Sequence, residues 1–523
     1  MYDLIVIGAG PGGYEAAAHA ARMGKKVALI EKERVGGICL HAGCIPAKTF
    51  LRSSKLFQEF GDAAAYGIRV GSVEFDMAGV VERKNRVVGT LARGVQAMLK
   101  RAGVETIAGH ARLVSRGVVE VGTERYQARN ILIATGSRPA VPPIPGIRSE
   151  CVLDSNSVFA LTRVPERIAI IGGGYIGLEF ACFFREAGAQ VSVYEMLPQI
   201  AAGCDREISG LLLQVLRRKG IEFQLSSRVL EIEGGGGASP SVDTSVDAAD
   251  TSVRATRLPG PACQLVVMPA DGRRKRLPHD IILNATGRAP IVRELGLEAV
   301  GVDFGPRGIR TSDQGKTNVP GIWACGDVTG RRMLAHAATR EGIVAVNNMF
   351  GKKDRIRYGA IPAVIYTHPE VASVGKTEEE LKAEGTEYRK SVVPMAVAGR
   401  FLVENEGETG MVKVLAGARY GDILGVHALG DGSSEFIVAA AAMVESGMSL
   451  TDASRIVFPH PTVSEALREA IERAAHKAAE PQPRSGADGL VRAGSPGPAL
   501  RSSEQADQGV GGPRGCPPGG PSY

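Results

Sequence analysis

The pattern of apolar and polar positions predicts a strand, a glycine turn, a helix and a second strand at the start of the chain. An apolar run, Tyr2–Ile7, leads into a glycine-rich turn. A helical pattern follows over residues 14–23, and a second apolar run over residues 27–30 ends in Glu31. Short apolar runs that alternate with a helical period are typical of a βαβ unit with a parallel sheet.

The same pattern recurs in the middle of the chain. Residues 168–171 form an apolar strand, a glycine turn follows, a helical pattern runs to about residue 187, and a second strand over 191–194 ends in Glu195. In both units the acidic residue lies 23 positions after the first glycine. Each unit is followed later by an apolar strand that leads into Ala-Thr-Gly, at residues 131–136 and 281–287. The chain is therefore predicted to be an α/β protein with two Rossmann-like dinucleotide-binding domains.

The remaining segments differ from these units in composition and pattern. Residues 358–475 alternate strand-like and helical runs, which indicates a separate α+β domain. Residues 234–262 and 479–523 are rich in Gly, Ser and Pro, and we interpret them as a surface insertion and a disordered tail. The expected domains are 1–147, 148–284 with the insertion 234–262, a central segment 285–352 that returns to the first domain, and 353–478.

Composition narrows the class of protein. The 523 residues are 44% hydrophobic and carry a net charge of +6, without a long basic run, so we expect no nucleic-acid partner. No apolar stretch reaches membrane-spanning length, and the first strand begins almost at Met1, so we expect a cytoplasmic protein without a leader segment. In that compartment most of the eight cysteines should be reduced, and a close pair is more often catalytic than structural.

The glycine turns can bind the pyrophosphate of a dinucleotide. In each turn the first glycine permits the tight bend, the second lets the backbone approach phosphate, and the third lets helix and strand pack closely. These positions are Gly8, Gly10 and Gly13 in the first unit and Gly172, Gly174 and Gly177 in the second. Glu31 and Glu195 can each bind ribose hydroxyls. Because Glu195 would repel a 2′-phosphate and its neighbours Met196 and Leu197 are not basic, we expect NAD rather than NADP.

Two cysteines, Cys39 and Cys44, directly follow the first unit. Two cysteines separated by four residues can close a disulfide across one helical turn. A metal site is disfavoured because no second pair has a matching spacing. We interpret the other six cysteines as core or surface thiols: Cys151, Cys182, Cys204, Cys263, Cys325 and Cys516.

The glycine–cysteine segment at residues 36–48 resembles the redox segment of the pyridine nucleotide–disulfide oxidoreductases, above all of the members that oxidise dihydrolipoamide. The resemblance covers residues 1–478 apart from the insertion. It implies that Cys39 is the interchange thiol that meets substrate and that Cys44 lies next to a flavin. It also implies that Lys48 lies near the flavin N5 and pairs with Glu179. The chain departs from many members at Ile38, His41 and Ala47.

The resemblance also implies further cofactor contacts. Asp327 would bind the ribityl hydroxyls of FAD. Other flavin contacts would come from Ala111, Thr135, Gly136, Ser137, Met333, Leu334, Ala335 and His336. The NAD site would include Val229, Gly287 and Tyr175. The Tyr175 ring either covers the flavin until the nicotinamide enters or is a simple packing aromatic.

A histidine and a glutamate near the end of the chain, His460 and Glu465, complete the predicted site. A thiol with a pKa of about 8.5 is mostly protonated at neutral pH, so a histidine oriented by a carboxylate is a suitable base. In the family this dyad reaches the disulfide of the partner subunit. The resemblance therefore implies an FAD domain at 1–147, an NAD domain at 148–284, a dimerisation domain at 353–478 and an obligate homodimer.

The resulting hypothesis is an enzyme that oxidises dihydrolipoamide through Cys39, Cys44 and FAD to reduce NAD. Its expected partners are a small dithiol, a lipoyl-bearing acyltransferase or a glycine cleavage carrier protein. One alternative is a related NAD(P)H-dependent disulfide or mercuric reductase, although a mercuric enzyme would need a cysteine pair at the C-terminus. Another is a flavin-binding subunit without turnover of its own.

Overall fold

The computed structural model describes residues 1–234 and 263–476. The predicted insertion beyond Gly234 and the predicted tail lie outside the described residues. No helix among the described residues is long and apolar enough to cross a membrane.

The N-terminal region forms a sheet of seven strands. Its central strands are parallel and almost fully buried, because helices cover one face, while antiparallel strands and the later segment around residues 292–328 cover the other. The spatial order is β3-β2-β1-β6-β5-β4, with β19 also beside β6. The elements of this region are β1 (Tyr2–Ile7), α1 (Pro11–Arg22), β2 (Val27–Glu31), α2 (Gly37–His41), α3 (Cys44–Asp62), α4 (Met77–Arg101), β3 (Glu105–Ala108), β4 (Ala111–Ser115), β5 (Val118–Val121), β6 (Glu124–Ile133) and β7 (Ser137–Pro139).

The second region repeats this arrangement with five parallel strands in the order β11-β10-β9-β15-β8. A three-stranded antiparallel sheet, β12-β13-β14, packs beside it. The elements are β8 (Val152–Asp154), β9 (Arg167–Ile171), α5 (Tyr175–Glu186), β10 (Gln190–Tyr194), α6 (Arg206–Arg218), β11 (Glu222–Gln224), β12 (Arg228–Glu233), β13 (Cys263–Met268), β14 (Lys275–His279), β15 (Ile281–Asn284) and β16 (Arg288–Pro290).

A connecting segment then returns the chain to the first sheet. β19 pairs in parallel with β6, and β16 pairs with β7, so the two Ala-Thr-Gly segments end side by side. The elements are α7 (Leu297–Val300), β17 (Phe304–Gly305), β18 (Gly308–Ile309), β19 (Ile322–Ala324) and α8 (Ala335–Met349).

The C-terminal region is an antiparallel sheet of five strands, in the order β20-β21-β24-β23-β22, with helices packed on it. The elements are β20 (Ala363–Ile365), β21 (Val371–Gly375), α9 (Glu378–Ala383), β22 (Tyr388–Pro394), α10 (Gly399–Glu404), β23 (Met411–Gly417), β24 (Ile423–Leu429), α11 (Ser433–Ser446), α12 (Leu450–Ala453) and α13 (Glu465–His476). The predicted fold class, two Rossmann-like domains followed by an α+β domain, is confirmed.

The interpretation of Cys151 and Cys263 as separate thiols is wrong. They form a disulfide between the start of β13 and the segment before β8, across a sequence separation of 112 residues. Both side chains are buried in the core beneath the three-stranded sheet. The fold brings together two cysteines whose positions in the chain give no sign of pairing. Among the described residues, Cys39, Cys44, Cys182, Cys204 and Cys325 are free.

Candidate active site

The two cysteines of the glycine–cysteine segment lie on different helices. Cys39 is in the short helix α2, and Cys44 is the first residue of α3. The expectation of one helical turn across the pair is wrong, because Ala42 and Gly43 have non-helical backbone angles and separate the two helices. The break places Cys44 at a helix N-terminus, where the partial positive charge of the helix favours a thiolate.

Hydrogen bonding makes the two thiols chemically unequal. The Cys39 thiol donates to Cys44 and lowers the pKa of Cys44, and the Lys48 ammonium acts in the same direction against the effect of burial. The same hydrogen bond, together with burial, raises the pKa of Cys39. Of the two sulfurs, Cys44 is therefore the one that ionises more readily.

A partly buried ion pair holds Lys48 near this sulfur. Lys48 Nζ lies 2.9 and 2.8 Å from the two carboxylate oxygens of Glu179 on α5. The Tyr366 backbone N–H donates to Glu179 at 3.1 Å, and Lys48 Nζ lies 4.3 Å from the centre of the Tyr366 ring. The pair that the resemblance implied is thus present, with Tyr366 as a third member that sequence reasoning missed.

The two glycine turns have nearly identical geometry. Gly8 and Gly172 have φ values of 100° and 110°, which favour glycine. A Cβ on Gly13 would lie 1.8 Å from Gly8 O, and one on Gly177 would lie 2.0 Å from Gly172 O. The third glycine of each turn is therefore required for the close packing of helix and strand.

The acidic residue at the end of each second strand braces its own turn. Glu31 accepts from Ala9 N at 2.6 Å and from Glu33 N at 2.9 Å. Glu195 accepts from Gly173 N at 2.6 Å and from Leu197 N at 2.7 Å. Both carboxylates hold backbone amides of and beside their glycine turn, an effect that the sequence pattern did not reveal.

A cavity of about 1500 Å³ joins these features. Fifteen of the sequence-predicted site residues line it: Gly8, Gly10, Glu31, Cys39, Cys44, Lys48, Thr135, Gly136, Ser137, Tyr175, Glu179, Asp327, Met333, Leu334 and Ala335. A Cβ on Gly10 would meet no protein atom within 4 Å, so the backbone there faces open space. The cavity is larger than a typical small-molecule site, and the first glycine turn in its lining fits the pyrophosphate of a dinucleotide such as FAD.

Other predicted residues lie outside the lining of this cavity. Ala111 and Val229 are buried in hydrophobic cores, and the His336 ring contacts Pro362 O at 2.7 Å. The remaining ones are Gly13, Gly172, Gly174, Gly177, Glu195, Gly287, His460 and Glu465. Tyr175 begins α5 and its hydroxyl lies 3.6 Å from the sulfur of buried Cys204.

Ser137 and Arg288 hold the Asp327 carboxylate. The sequence predicted Ser137 as a site residue but not Arg288. The Ser137 hydroxyl donates to its carboxylate at 2.5 Å, and Arg288 Nε lies 4.0 Å from it. Burial raises the pKa of Asp327, while Ser137 and Arg288 oppose this shift. Arg288 also donates to Ser137 Oγ at 2.7 Å and to Ser137 O at 2.8 Å. The only sign of this role in the sequence is that Arg288 directly follows the second Ala-Thr-Gly segment.

His460 and Glu465 are close together and face outward. His460 Nδ1 lies 3.0 and 3.2 Å from the two oxygens of Glu465, and the Thr462 backbone N–H donates to the same carboxylate at 3.1 Å. The hydrogen bond with His460 lowers the pKa of Glu465. The His460 side chain is 79% exposed, whereas that of Glu465 is 14% exposed. The dyad therefore presents an oriented imidazole to a molecule outside the chain.

Comparisons with known proteins agree with this geometry. Residues 2–342 match the model of the pyridine nucleotide-disulphide oxidoreductases, and residues 361–471 match the dimerisation domain of the same group. The chain is 40% identical to dihydrolipoyl dehydrogenase 3 of Pseudomonas aeruginosa over 90% of its length and 97% of that protein. It is 37% identical to the mitochondrial dihydrolipoyl dehydrogenase of Homo sapiens over 90% of its length and 89% of that protein.

A solved structure of a flavoprotein disulfide reductase also matches this chain. The HOCl-induced flavoprotein disulfide reductase RclA from Escherichia coli superposes with a TM-score of 0.75 at 26% identity. That match covers 90% of this chain and 99% of the other.

Proposed function

The chain belongs to the pyridine nucleotide-disulphide oxidoreductase family, and from that premise we propose that it oxidises dihydrolipoamide and passes the electrons to NAD. It is a flavoprotein disulfide oxidoreductase that uses FAD and NAD, and its C-terminal region matches a dimerisation domain. The proposal extends this to one substrate, to the roles of individual residues and to the partners. Bound FAD supplies the two-electron acceptor, and bound NAD supplies the final hydride acceptor.

The first step is proton removal from the dithiol. His460 of the partner subunit, oriented by its glutamate, takes a proton from one substrate thiol, and the resulting thiolate attacks Cys39 in a Cys39–Cys44 disulfide. A mixed disulfide forms, and Cys44 leaves as a thiolate. The second substrate thiol then attacks the substrate sulfur of the mixed disulfide and displaces Cys39, which takes up the proton that this thiol loses. The oxidised substrate leaves as a disulfide.

The observation that carries this proposal is the inequality of the two thiols. Cys44 has the lowered pKa and lies at the α3 N-terminus beside Lys48, so it is the better leaving group. Cys39, whose pKa is raised, is the poorer leaving group and is the sulfur left for exchange with substrate. This division of roles is what a dithiol substrate requires, and a non-catalytic flavin subunit would not need it.

The choice of NAD is supported by the second glycine turn. Glu195 directly follows β10, and the neighbouring side chains Met196 and Leu197 are exposed and uncharged. A carboxylate in this position repels a 2′-phosphate. Two relatives of this chain are named dihydrolipoyl dehydrogenases, which supports a lipoyl-bearing acyltransferase or glycine cleavage carrier protein as the partner. A cytoplasmic location also stays part of the proposal.

The test is a substrate panel with matched single-cysteine variants. Dihydrolipoamide, glutathione disulfide and Hg²⁺ are each assayed with NAD(H) and NADP(H). We expect turnover with dihydrolipoamide and NAD, loss of that turnover in Cys39→Ser with FAD retained, and no effect of Cys516→Ser. Preferred turnover of glutathione disulfide or Hg²⁺, or full activity of Cys39→Ser, would refute the proposal.

A further inference from the structure

One face of α5 carries three polar groups that all contact the same C-terminal segment. Glu179, Cys182 and Glu186 follow each other at intervals of three and four residues, so they form a stripe along the helix. Glu179 accepts from Tyr366 N at 3.1 Å, and the His368 backbone lowers the pKa of the Cys182 thiol, against the burial that raises it. This stripe joins the second nucleotide-binding region to the segment directly after β20.

Glu186 ends the stripe with two short hydrogen bonds to different regions of the fold. Its Oε1 lies 2.6 Å from His368 Nδ1, and its Oε2 accepts from the Ser54 hydroxyl on α3 at 2.6 Å. The side chain of Glu186 is 8% exposed, that of His368 is 13% exposed, and Ser54 is fully buried. A buried carboxylate is costly unless it is paired, so these bonds hold three segments together.

The two carboxylates attach α5 to α3 at two separate points. Glu179 and Glu186 are seven residues apart, about 10 Å along the helix, and their partners Lys48 and Ser54 have a similar spacing on α3. The rings of Phe50 and Phe183 pack between these two points, with their centres 4.8 Å apart, so the helices also share a hydrophobic contact. The two polar attachments fix the register of the helices on either side of this contact, and Ser54 lies ten residues along α3 from Cys44.

We propose that Glu186 is a positioning residue that keeps Glu179 in register with Lys48 and thereby preserves the stabilisation of the Cys44 thiolate. The proposal rests on the redox role given above to Cys44. Without the second attachment the register of α5 on α3 is less tightly fixed, and Glu179 no longer holds Lys48 in place. Lys48 is the member of the pair that favours the Cys44 thiolate, whereas the charge of Glu179 opposes it, so displacement of Lys48 from the sulfur destabilises the thiolate. The titratable groups that act on Cys44 or are influenced by its charge are Cys39, Lys48, Glu179, Tyr14, Tyr366 and Arg288.

The test measures the ionisation of Cys44 directly. A thiolate against an oxidised flavin gives a long-wavelength absorbance band, and the pH midpoint of this band is measured in two-electron-reduced holoenzyme. We expect Glu186→Leu to raise the midpoint by about one pH unit, a tenfold change in the ionisation constant. The isosteric Glu186→Gln keeps an oxygen for Ser54 and should restore the wild-type midpoint. Ser54→Ala removes one of the two bonds and provides a milder variant if Glu186→Leu does not fold.

The matched control is Glu378→Gln. Glu378 lies 2.5 Å from buried Lys413, in another cluster of charges that ties the second nucleotide-binding region to the C-terminal sheet, but it touches neither α3 nor α5. It should lower the melting temperature and leave the thiolate midpoint unchanged.

The outcomes distinguish a failure of the positioning role of Glu186 from a failure of the proposed function. An unmoved midpoint in both Glu186→Leu and Ser54→Ala would overturn the positioning role, as would an equal shift in Glu378→Gln. A wild-type protein that never develops the band would instead refute the function on which the inference rests.

Discussion

Replacing Glu195 by glutamine tests the proposal that the second glycine turn binds NAD. The carboxylate accepts from Gly173 N at 2.6 Å and from Leu197 N at 2.7 Å. A glutamine side chain has one acceptor oxygen, and its NH2 group cannot accept from the second backbone N–H. One charge-assisted bond is therefore lost and the turn loses part of its support, while the size of the side chain is unchanged.

The size of the effect follows from the lost bond. A hydrogen bond to a charged group contributes about 1.5–3 kcal/mol, and each 1.4 kcal/mol corresponds to a factor of ten. These values set an upper limit, because the bond lies within the protein and its loss weakens NAD binding only as far as the turn loses its shape. We therefore expect the Kd for NAD to rise, by no more than about 150-fold. Catalysis at saturating NAD should fall much less, because the thiol pair and the dyad lie elsewhere.

The assay is equilibrium titration of holoenzyme with NADH, followed by nicotinamide fluorescence. The chain supplies its own control, since Glu31 braces the first turn in the same way. Glu31→Gln should weaken FAD retention and leave the Kd for NADH unchanged. An unchanged Kd in Glu195→Gln, or equal losses of both cofactors in both variants, would refute the assignment of one turn to each cofactor.

Three further predictions concern the thiols and the base. Lys48→Met should raise the pH midpoint of the thiolate band, because Lys48 lowers the pKa of Cys44; an unmoved midpoint would exclude this role. Glu465→Gln should reduce kcat for dihydrolipoamide about 10²- to 10⁴-fold, while electron transfer from NADH to an artificial acceptor is retained; equal loss of both activities would argue against a substrate base. Alkylation of the denatured, unreduced protein should recover one peptide that links Cys151 to Cys263. Loss of this bond should cost about 3–5 kcal/mol of stability, and two alkylated cysteines would disprove it.

The parts of the fold that depend on local physics were predictable from the sequence. A glycine that must adopt positive φ, such as Gly8 or Gly172, and a buried parallel strand leave a pattern within about 30 residues. The duplication of that pattern predicted two dinucleotide-binding regions. The resemblance then supplied the Lys48–Glu179 pair, whose members are 131 residues apart.

Contacts between distant segments were not predictable in this way. Arg288 reaches Asp327 and Ser137 only because β7 and β16 pair with each other. The Cys151–Cys263 bond joins segments whose proximity depends on the packing of two sheets. Pairing of this kind is a property of tertiary structure, and neither composition nor periodicity encodes it.

The break between α2 and α3 was not predictable for a different reason. The spacing of Cys39 and Cys44 fits one helical turn, but the backbone angles at Gly43 end the helical path before Cys44. Spacing alone does not distinguish a continuous helix from two helices. The distinction matters, because only the second arrangement gives Cys44 a helix N-terminus.

The most direct test of the central claim is an anaerobic titration of the purified protein with dihydrolipoamide, followed by absorbance. We predict that the purified protein is yellow, takes up two electrons and then develops long-wavelength absorbance. The Cys39→Ser variant should show this absorbance before any reductant is added. Colourless protein, or flavin that bleaches without the new absorbance, would contradict an account in which Cys44 carries the charge beside FAD.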